Sequence, residues 1–500
     1  MSEIPMMVSY HQQTKHHFHA YAPGPPRLDW ATQPNPFRRY EGATLLPLEH
    51  LPPGDTPLYG PAFMAGHIAP ESLNRRSLSQ LFYDSLALSA WKEMGGEKWA
   101  LRINPSSGNL HPTEGYLICG PVEGLCGEPM ICHYAPKEHS LERRAGFPID
   151  TWKLLATDLP EGAVLIGLST IYWREAWKYG ARAFRYSHHD IGHAIGAISI
   201  AAAGLGWEAS LLDDIGTEFL ENLLGVSDQK GSEAEHPDCL LAIYPCRKTD
   251  QHPLIRKMDP VNFKKLQWEG KPNFLSASHV SWPIIDDAID ATRKPATPGI
   301  YGTRKTIGKA PETTAESISL RKMIHQRRSA VDFDGQAGLA RDGLYQILLK
   351  TMPFPGQVPF NTLPWDPLIH LGLFVHRVLD LDPGLYFLTR DPAQKEDLRV
   401  SMKDTFDWKT PEGCPDGLAL YHLVTGDARG MAAQVSCGQD IASDGCFSLG
   451  MIADFEKALE RYGAWFYPRL YWECGMIGQV LYLEAEAMGI RGTGIGCFFD

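Results

Sequence analysis

The chain has 500 residues, more than one ordinary hydrophobic core accommodates, so we expect two domains or more. Its hydrophobic fraction of 44% and charged fraction of 21% are typical of a soluble globular protein. The formal net charge of −12 argues against nucleic acid and anionic membranes as main partners, because both require a basic surface.

Targeting and metal-binding signals are sparse. No apolar run follows a basic patch near the amino terminus, so no signal peptide is predicted. The longest apolar stretch, residues 194–206, is too short to span a bilayer and predicts a buried helix. Ten cysteines without a C-x-x-C pair indicate neither a disulfide framework nor a zinc site, which favours a cytoplasmic protein with reduced thiols.

Local patterns predict a mixture of helices and strands. Amphipathic spacing predicts helices over residues 78–91, 343–350 and 449–462. Apolar or β-branched runs predict strands over residues 116–119, 163–169, 240–244 and 371–375. Residues 250–315 are rich in Pro, Gly and Lys and predict a linker, with a short helix near 286–292. Because helices and strands do not alternate as in βαβ units, we expect an α+β fold.

The chain repeats part of its own sequence. Residues 178–206 match residues 461–489 without a gap. The matched pairs are Tyr179 with Tyr462, Asp190 with Glu473, Gly192 with Gly475 and Gly206 with Gly489. An earlier match, HQQTK at 11–15 with HQRRS at 325–329, occurs in the same order. Together they predict a tandem duplication, with domains at residues 1–249 and 316–500 and a linker at 250–315.

A polar loop is the most informative candidate for ligand binding. It contains Pro105, Ser106, Ser107 and Asn109 around a glycine. Two hydroxyls and an amide beside glycine let the backbone approach a planar ligand, and proline fixes the shape of the loop. The alternative interpretation is an ordinary Ser/Asn turn.

A basic segment, Arg327, Arg328 and Ser329, forms the second candidate. Adjacent guanidinium groups and a hydroxyl can hold a phosphate through charge-assisted hydrogen bonds. A solvated basic helix end is the alternative.

A glycine-rich segment near the carboxyl end is the third candidate. It consists of Gly492, Thr493, Gly494, Ile495 and Gly496. A dinucleotide-binding turn requires a strand before it and a helix after it, and neither is predicted here. The backbone N–H groups could still face a ligand edge, although a plain helix-to-strand turn remains open.

Histidines do not form a convincing metal site. His189 and His193 are spaced to share one helical face, but no third ligand and no catalytic glutamate accompany them. The histidines at 11, 16, 17 and 19 lie in a predicted loop. We therefore expect no bound metal.

Taken together, the three segments resemble the nitroreductase-like flavoprotein superfamily, most closely its SagB-type (azoline dehydrogenase-like) branch. The resemblance covers roughly residues 10–245 and 318–500. It implies a dimeric sheet-and-helix fold that binds flavin mononucleotide (FMN) at the subunit interface. One subunit supplies the basic-Ser motif and the glycine turn, and the other supplies the P-S-S/A-x-N loop.

The motifs are distributed unequally between the two copies. The first copy has the intact loop but weak counterparts of the basic motif at residues 13–15 and of the glycine turn at 206–210. The second copy has both of these motifs, whereas residues 358–362 stand where its loop is expected. The resemblance therefore implies an intramolecular pseudo-dimer with one complete FMN site, and it leaves higher assembly open.

The resemblance also implies a catalytic pair, Lys178 and Tyr179. A lysine amine beside a phenol could act as a general base, whereas Arg461 at the matching position cannot release its proton. The alternative is that both residues only begin a helix. Family members usually continue past the glycine turn to a basic residue for the FMN phosphate, so the second copy looks short. Arg247 and Lys248 follow the matching strand of the first copy.

The expected function is that of an FMN-dependent oxidoreductase that transfers hydride through flavin N5. Its small-molecule substrate would be a nitro compound or quinone, with NAD(P)H as transient reductant, or an azoline-type compound that is dehydrogenated. The rival expectation is a catalytically inactive flavin-fold binding protein, a pseudoenzyme.

Overall fold

A computed structural model describes residues 3–245, 253–255, 261–299 and 318–500. We call the described residues up to 299 the first half and residues 318–500 the second half. Arg247, Lys248 and much of the predicted linker lie outside the described residues.

The first half contains helices and strands in the following order. The helices are α1 (Glu3–Gln13), α2 (Tyr59–Ala62), α3 (Arg75–Tyr83), α4 (Ile149–Leu155), α5 (Tyr172–Tyr179), α6 (Ala183–Ala203), α7 (Thr217–Leu224), α8 (Val261–Lys264) and α9 (Pro283–Ala291). The strands are β1 (Tyr40–Glu41), β2 (Thr44–Pro47), β3 (Leu88–Met94), β4 (Glu97–Arg102), β5 (Thr113–Cys119), β6 (Met130–Ala135), β7 (Ser140–Gly146), β8 (Val164–Thr170), β9 (Trp207–Leu211), β10 (His236–Pro245) and β11 (Lys271–Pro272).

The second half is smaller. Its helices are α10 (Leu320–Gln326), α11 (Arg341–Lys350), α12 (Lys395–Ser401), α13 (Arg429–Val435), α14 (Ile441–Asp444), α15 (Phe455–Tyr462) and α16 (Tyr467–Ala487). Its strands are β12 (Leu339–Ala340), β13 (His370–Val375), β14 (Val378–Leu379), β15 (Gly384–Leu388), β16 (Leu420–Thr425) and β17 (Phe447–Ile452).

Each half has its own main sheet. The first half forms a seven-stranded sheet in the order β2-β7-β6-β5-β8-β10-β9, and the second forms a four-stranded sheet in the order β16-β15-β13-β17. All neighbouring strands in both sheets are antiparallel. The chain is therefore a mixture of helix and antiparallel sheet, as the absence of a βαβ rhythm predicted.

The two halves meet along α6 and α16, which share one hydrophobic core with elements of both sheets. Gly192 of α6 faces Gly475 of α16. A Cβ built on Gly475 would lie 2.8 Å from the Cα of Gly192 and closer still to the carbonyl oxygen of His189. Only residues without a side chain allow the two helix backbones to approach this closely.

The helices of the repeat occupy matching positions. The eight-residue helices α5 and α15 end at the matched residues Tyr179 and Tyr462. Each is followed by a 21-residue helix, α6 in the first half and α16 in the second. Short 3-10 helices at Gly180–Arg182 and Ala464–Phe466 separate the two helices in each case.

The start of α2 pairs reciprocally with the start of α10. Tyr59 N donates to the carbonyl of Ile318, and Leu320 N donates to the carbonyl of Pro57. This pairing favours α2 over α1 as the counterpart of α10, whereas the sequence match of residues 11–15 with 325–329 favours α1. The sequence alone does not reveal the backbone pairing.

Two predicted helices are wrong over part of their length. The helix predicted over 78–91 ends at Tyr83, and residues 88–94 form β3. β3 turns into β4 through Gly95 and Gly96, whose φ angles of 62° and 88° suit a two-residue hairpin. The helix predicted over 449–462 begins only at Phe455, where Asp454 caps α15, because residues 447–452 pair with β13.

The other predicted elements are present. α11 covers the helix expected at 343–350, α6 contains most of the buried stretch 194–206, and α9 lies near the short helix expected at 286–292. Strands β5, β8, β10 and β13 occupy the predicted strand positions. In the predicted linker, β11 pairs with β1 and α9 buries Ile285 and Ala288.

The contact between α6 and α16 predicts a large effect of a single methyl group. We expect Gly475→Ala to lower the free energy of unfolding by roughly 1–3 kcal/mol, because an added Cβ overlaps the backbone of α6. Gly430→Ala is the matched control, since nothing lies within 4 Å of its added Cβ and α13 is exposed there. Urea midpoints of the two variants should differ clearly, and equal midpoints would contradict this packing.

Candidate functional site

The polar loop between β4 and β5 is anchored to α6 by hydrogen bonds. Ser107 donates from its backbone N and from its Oγ to Asp190 Oδ1, at 3.0 and 3.1 Å. His111 N donates to Ser106 Oγ at 2.8 Å, and Asn109 Nδ2 donates to the carbonyl of Ala100 at 2.8 Å. The loop is thus a fixed structure rather than a mobile turn, and Asp190 is its main anchor.

Lys178 and Tyr179 lie directly on this loop. A Cβ added at Gly108 would lie 2.5 Å from Tyr179 Oη and 3.0 Å from Lys178 Nζ. Gly108 also has a φ of 57°, so both the space and the backbone conformation favour glycine here. Burial raises the pKa of the Tyr179 phenol, with Glu175 acting in the same direction, so the phenol is neutral and can donate a hydrogen bond.

Tyrosines of the two long helices connect the loop to the glycine-rich segment. The ring of Tyr186, on α6, packs edge-on against Tyr179 with centroids 4.6 Å apart. Its hydroxyl donates to the carbonyl of Gly496 at 2.7 Å. On α16, the Tyr482 hydroxyl accepts from Gly494 N at 2.8 Å and from Ser329 Oγ at 3.0 Å. These contacts bring segments of both halves together.

Arg327 is a buried cation with unused donors. Its Nη2 makes long contacts, 3.4 and 3.5 Å, with the carbonyls of Arg102 and Ile103 at the start of the loop. Its Nε and Nη1 are buried and have no hydrogen-bond partner. Its guanidinium lies 4.9 Å from the centroid of the Tyr482 ring. Several other arginines of the described residues leave one nitrogen unpartnered, whereas Arg327 leaves two, which indicates a place for an acceptor.

Two further arginines lie near Arg327. Arg328 donates from Nη2 to the carbonyl of Ser89 at 3.1 Å, which ties the basic segment to β3 of the other half. Arg491 precedes the glycine-rich segment and is half exposed, 3.8 Å from Glu486. Burial lowers the pKa of Arg327, and Arg328 and Arg491 add to this effect by repulsion. The sequence prediction missed Arg491, although its place beside Gly492 was a usable signal.

The last four residues of the sequence close one side of this region. Asp500 forms ion pairs with Arg182 at 2.8 Å and Arg185 at 2.7 Å, both of which belong to the start of α6 or the turn before it. Phe498 lies 5.0 Å from the Arg182 guanidinium. Residues 497–500 are thereby held against the first half, next to the glycine-rich segment.

The residues that match Tyr186 and Gly496 in the repeat form a second arrangement with a different chemistry. Tyr186 corresponds to Arg469, and Gly496 corresponds to Asp213. Arg469 and Asp213 form a buried ion pair at 3.3 Å. The Lys294 amine lies over the Trp465 ring beside it, and residues 294–297 bond to the chain at Asp213, Asp214 and Thr217. Residues 294–297, which belong to the predicted linker, therefore lie in this second arrangement.

The loop of the second half also differs from expectation. Glu473, which corresponds to Asp190, accepts from the backbone N of Leu368 at 3.1 Å. Residues 358–362, where the sequence suggested the loop counterpart, instead contact Phe63 and Ser199 of the first half. The segment that ends at Leu368 contains Pro364, Trp365 and Pro367 rather than serine and asparagine.

The predicted site residues fall into one region. The structure brings together the loop, the Lys178–Tyr179 pair, the basic segment and the glycine-rich segment. Pro105, Thr493 and Ile495 are half-buried members of these segments. The sequence missed Asp190, Tyr186 and Tyr482 as partners, since their roles depend on how α6 and α16 face the two segments.

The histidines are used in packing. His193 shares a hydrogen bond with Gln479 of α16 at 3.2 Å, and His189 packs edge-on against Tyr471. Within the described ranges, no group of three or more potential ligand side chains is placed to hold a metal ion. Among the same residues, none of the helices combines the length and apolar character needed to cross a membrane.

Comparison with known sequences gives a match in the first half. The model of the Nitroreductase family matches residues 95–243. A "putative nitroreductase" of Methanocaldococcus jannaschii is 28% identical over 138 residues, which are 27% of this chain. The chain spans 65% of the length of that relative. These matches support a relationship of the first half to nitroreductases.

Comparison with solved structures extends over both halves. A "putative nitroreductase" from Anabaena variabilis superposes with a TM-score of 0.68 at 21% identity, covering 99% of this chain and 94% of that one. Another, from Ralstonia eutropha, matches 45% of this chain and 100% of its own length with a TM-score of 0.31 at 15% identity. The whole chain therefore has the fold of the Anabaena protein.

Asp190 predicts a pH dependence of stability. Burial raises its pKa to about 7, against the hydrogen bonds from Ser106 and Ser107. The folded chain therefore holds a proton that the unfolded chain loses near pH 4, so this contribution is complete below about pH 4 and is lost as pH rises through about 7. We expect Asp190→Asn to flatten the fall in unfolding free energy over this range, by up to about 1.4 kcal/mol per pH unit.

Ser107→Ala is the companion variant in urea unfolding at several pH values. It removes a hydrogen bond to the charged carboxylate, so the range over which stability falls should extend to higher pH. If Asp190→Asn leaves the pH slope as in the parent chain, Asp190 is not the group that titrates.

Proposed function

We propose that the chain is an FMN-dependent oxidoreductase of the nitroreductase-like kind, with one composite flavin site built by both halves. The observation that carries the proposal is the convergence of the loop, the Lys178–Tyr179 pair, Arg327 and the glycine-rich segment. The Tyr482 hydroxyl bonds to both Ser329 and the glycine-rich segment, and Tyr186 bonds to Gly496 while its ring packs against Tyr179.

A tandem duplication that forms an intramolecular pseudo-dimer accounts for this arrangement. Tyr186 of α6 contacts Gly496 of the second half, and Arg469 of α16 contacts Asp213 of the first half. The two contacts join matching residues of the repeat and run in opposite directions between the halves. The reciprocal contact of Gly192 with Gly475 supports a local two-fold relation between the halves. We retain the domain boundaries 1–249 and 316–500, with 250–315 between them, as part of the proposal.

The residues at the site fit the two chemical ends of FMN. The free Nε and Nη1 of Arg327 suit phosphate oxygens, and Arg328 and Arg491 add positive charge nearby. Arg491 would supply the basic residue that the resemblance led us to expect farther along the chain. Gly492–Gly496 offers backbone N–H groups, and the loop at 105–109 offers a flat polar surface for the ring system.

The matching region of the second arrangement would not hold a second flavin. The buried Arg469–Asp213 pair and Lys294 stand where the first arrangement has Tyr186 and the glycine-rich segment. Removing either partner of a buried ion pair costs several kcal/mol because the other charge is left uncompensated, so these side chains are held in place. One FMN per chain follows.

When bound, FMN supplies hydride transfer at N5. The chain would position the ring against the loop, and Tyr179 would present a neutral hydroxyl to the substrate. Lys178 could take or return a proton, a role closed to Arg461 at the matching position. We propose reduction of a small nitro compound or quinone, with NAD(P)H as transient reductant. The Lys178–Tyr179 pair equally suits azoline-type dehydrogenation.

Binding of FMN to the purified chain tests the site. Titration followed by flavin fluorescence should give one FMN per chain. Arg328→Gln should raise the Kd about 10- to 100-fold, because a charge-assisted contact contributes roughly 1.5–3 kcal/mol. Gln13→Ala is the control: Gln13 is exposed and bonds only to Ser9 among the described contacts, so its Kd should equal that of the parent chain.

Each deviation from this result has a defined meaning. Two FMN per chain would contradict the single composite site. Equal effects of Arg328→Gln and Gln13→Ala on the Kd would show that Arg328 is not part of the site. A chain that binds FMN but accepts no electrons from NAD(P)H and reduces no nitro compound or quinone would instead support the binding-protein alternative.

A further inference from the structure

Glu175 is a buried carboxyl group immediately beside the Lys178–Tyr179 pair. It lies on α5, three residues before Lys178 and four before Tyr179, so the three side chains share one face of the helix. Glu175 is fully buried, whereas Lys178 and Tyr179 are half exposed toward Gly108. A carboxyl group therefore lies directly beneath the two polar groups of the loop face.

Glu175 differs from other buried carboxylates of the first half in having no partner. Neither of its oxygens has a hydrogen-bond partner. By contrast, Glu114 pairs with Arg174 and His133, and Glu235 pairs with Arg38 at 3.3 Å. An unpaired carboxylate in a dry interior is far more costly than the neutral acid, so the acid form is favoured.

A second acid, Asp190, decides which of the two carries the proton. Asp190 receives the backbone and hydroxyl donors of Ser107, which stabilise its charged form. Glu175 receives neither. Burial, followed by repulsion from Asp190, raises the pKa of Glu175 well above its usual range, while Lys178 and Ser106 oppose the shift. Of the two acids, Glu175 therefore holds its proton more strongly.

We propose that Glu175 is a positioning residue that holds a proton for Tyr179 and, through Tyr179, for the electron acceptor. This inference rests on the proposed oxidoreductase function. In reduction of a quinone, the acceptor gains two electrons as hydride from the cofactor and one proton from the Tyr179 hydroxyl. Movement of the Glu175 side chain brings its O–H to the Tyr179 oxygen, which regains its proton as the O–H bond of Glu175 breaks. The carboxylate is then reprotonated from solvent, which restores the starting state.

Several titratable groups face this pair and must be considered in any pH profile. They are Lys178 on α5, Asp190 and Tyr186 on α6, and Cys497 after the glycine-rich segment. Asp190 and Tyr186 receive or make hydrogen bonds of their own, whereas neither oxygen of Glu175 has a donor in hydrogen-bonding geometry. Of the two carboxyl groups, Glu175 is therefore the one whose proton is available for transfer.

Infrared spectroscopy of the full chain at neutral pH tests the proton directly, without cofactor or turnover. The spectrum of the parent minus that of Glu175→Gln should show the C=O stretch of a protonated carboxylic acid. Glu484→Gln is the matched control, because Glu484 is another buried carboxyl whose pKa burial raises to about 7, and it bonds to Tyr59. The band that is missing from the spectrum of Glu175→Gln must remain in the spectrum of Glu484→Gln. Its absence from the parent spectrum overturns the proposal.

Stopped-flow oxidation of the reduced, FMN-loaded chain by a benzoquinone tests the transfer. Glu175→Gln should slow the saturated rate at least about tenfold and flatten its pH profile, with the half-saturating quinone concentration unchanged. Glu175→Asp should recover part of the rate and of the pH dependence. Glu484→Gln should behave as the parent. A parent-like rate and profile in Glu175→Gln overturns the transfer role.

The two experiments separate failure of this inference from failure of the proposed function. If the chain binds no FMN, the proposed function falls and the transfer role falls with it. The infrared difference still establishes whether Glu175 holds a proton. If FMN binds and is reduced but the carboxyl band is missing, the oxidoreductase proposal stands and the role of Glu175 is refuted.

Discussion

The contact between α6 and α16 at Gly192 and Gly475 is the constraint on which the candidate site depends. Because neither glycine has a side chain, the two helix backbones touch, and residues one or two turns away on each helix reach the opposite half. Tyr186 thereby meets Gly496, and the ring of Tyr482 packs against His193 of α6. A wider spacing would separate the Tyr186 hydroxyl from the Gly496 carbonyl, which now lie 2.7 Å apart.

The same helix pair explains how the two related regions differ. Where one region has a tyrosine hydroxyl against a glycine carbonyl, the other has the buried Arg469–Asp213 ion pair, with Lys294 beside it. An ion pair in the interior is retained because losing one partner leaves an uncompensated charge. The first region is thus built from uncharged groups, whereas the second contains paired charges.

The sequence revealed those features that depend on local chemistry. The glycine at 108 and the apolar runs of β5 and β13 are visible within a few residues of sequence, and the structure has a turn and two strands there. The error in the helix predicted over 78–91 was avoidable, since Gly95-Gly96 is a hairpin signal. The roles of Asp190 and Tyr482 were not readable, because each partner is remote in the chain. The reciprocal pairing of α2 with α10 has no local signature either.

Two ionisable side chains at the candidate site each have two buried polar atoms without a hydrogen-bond partner: Arg327 at Nε and Nη1, and Glu175 at both oxygens. Elsewhere in the first half, buried charges such as Arg174 and Glu114 neutralise each other. Leaving a buried polar group without a partner costs about 1–3 kcal/mol, so these positions lower the stability of the chain. Such costs persist where a ligand or a reaction uses the group. Arg327 lacks an acceptor for its donors, and Glu175 lacks a donor for its oxygens. An anionic ligand would accept hydrogen bonds from Arg327, and a transferable proton on Glu175 would neutralise its carboxylate.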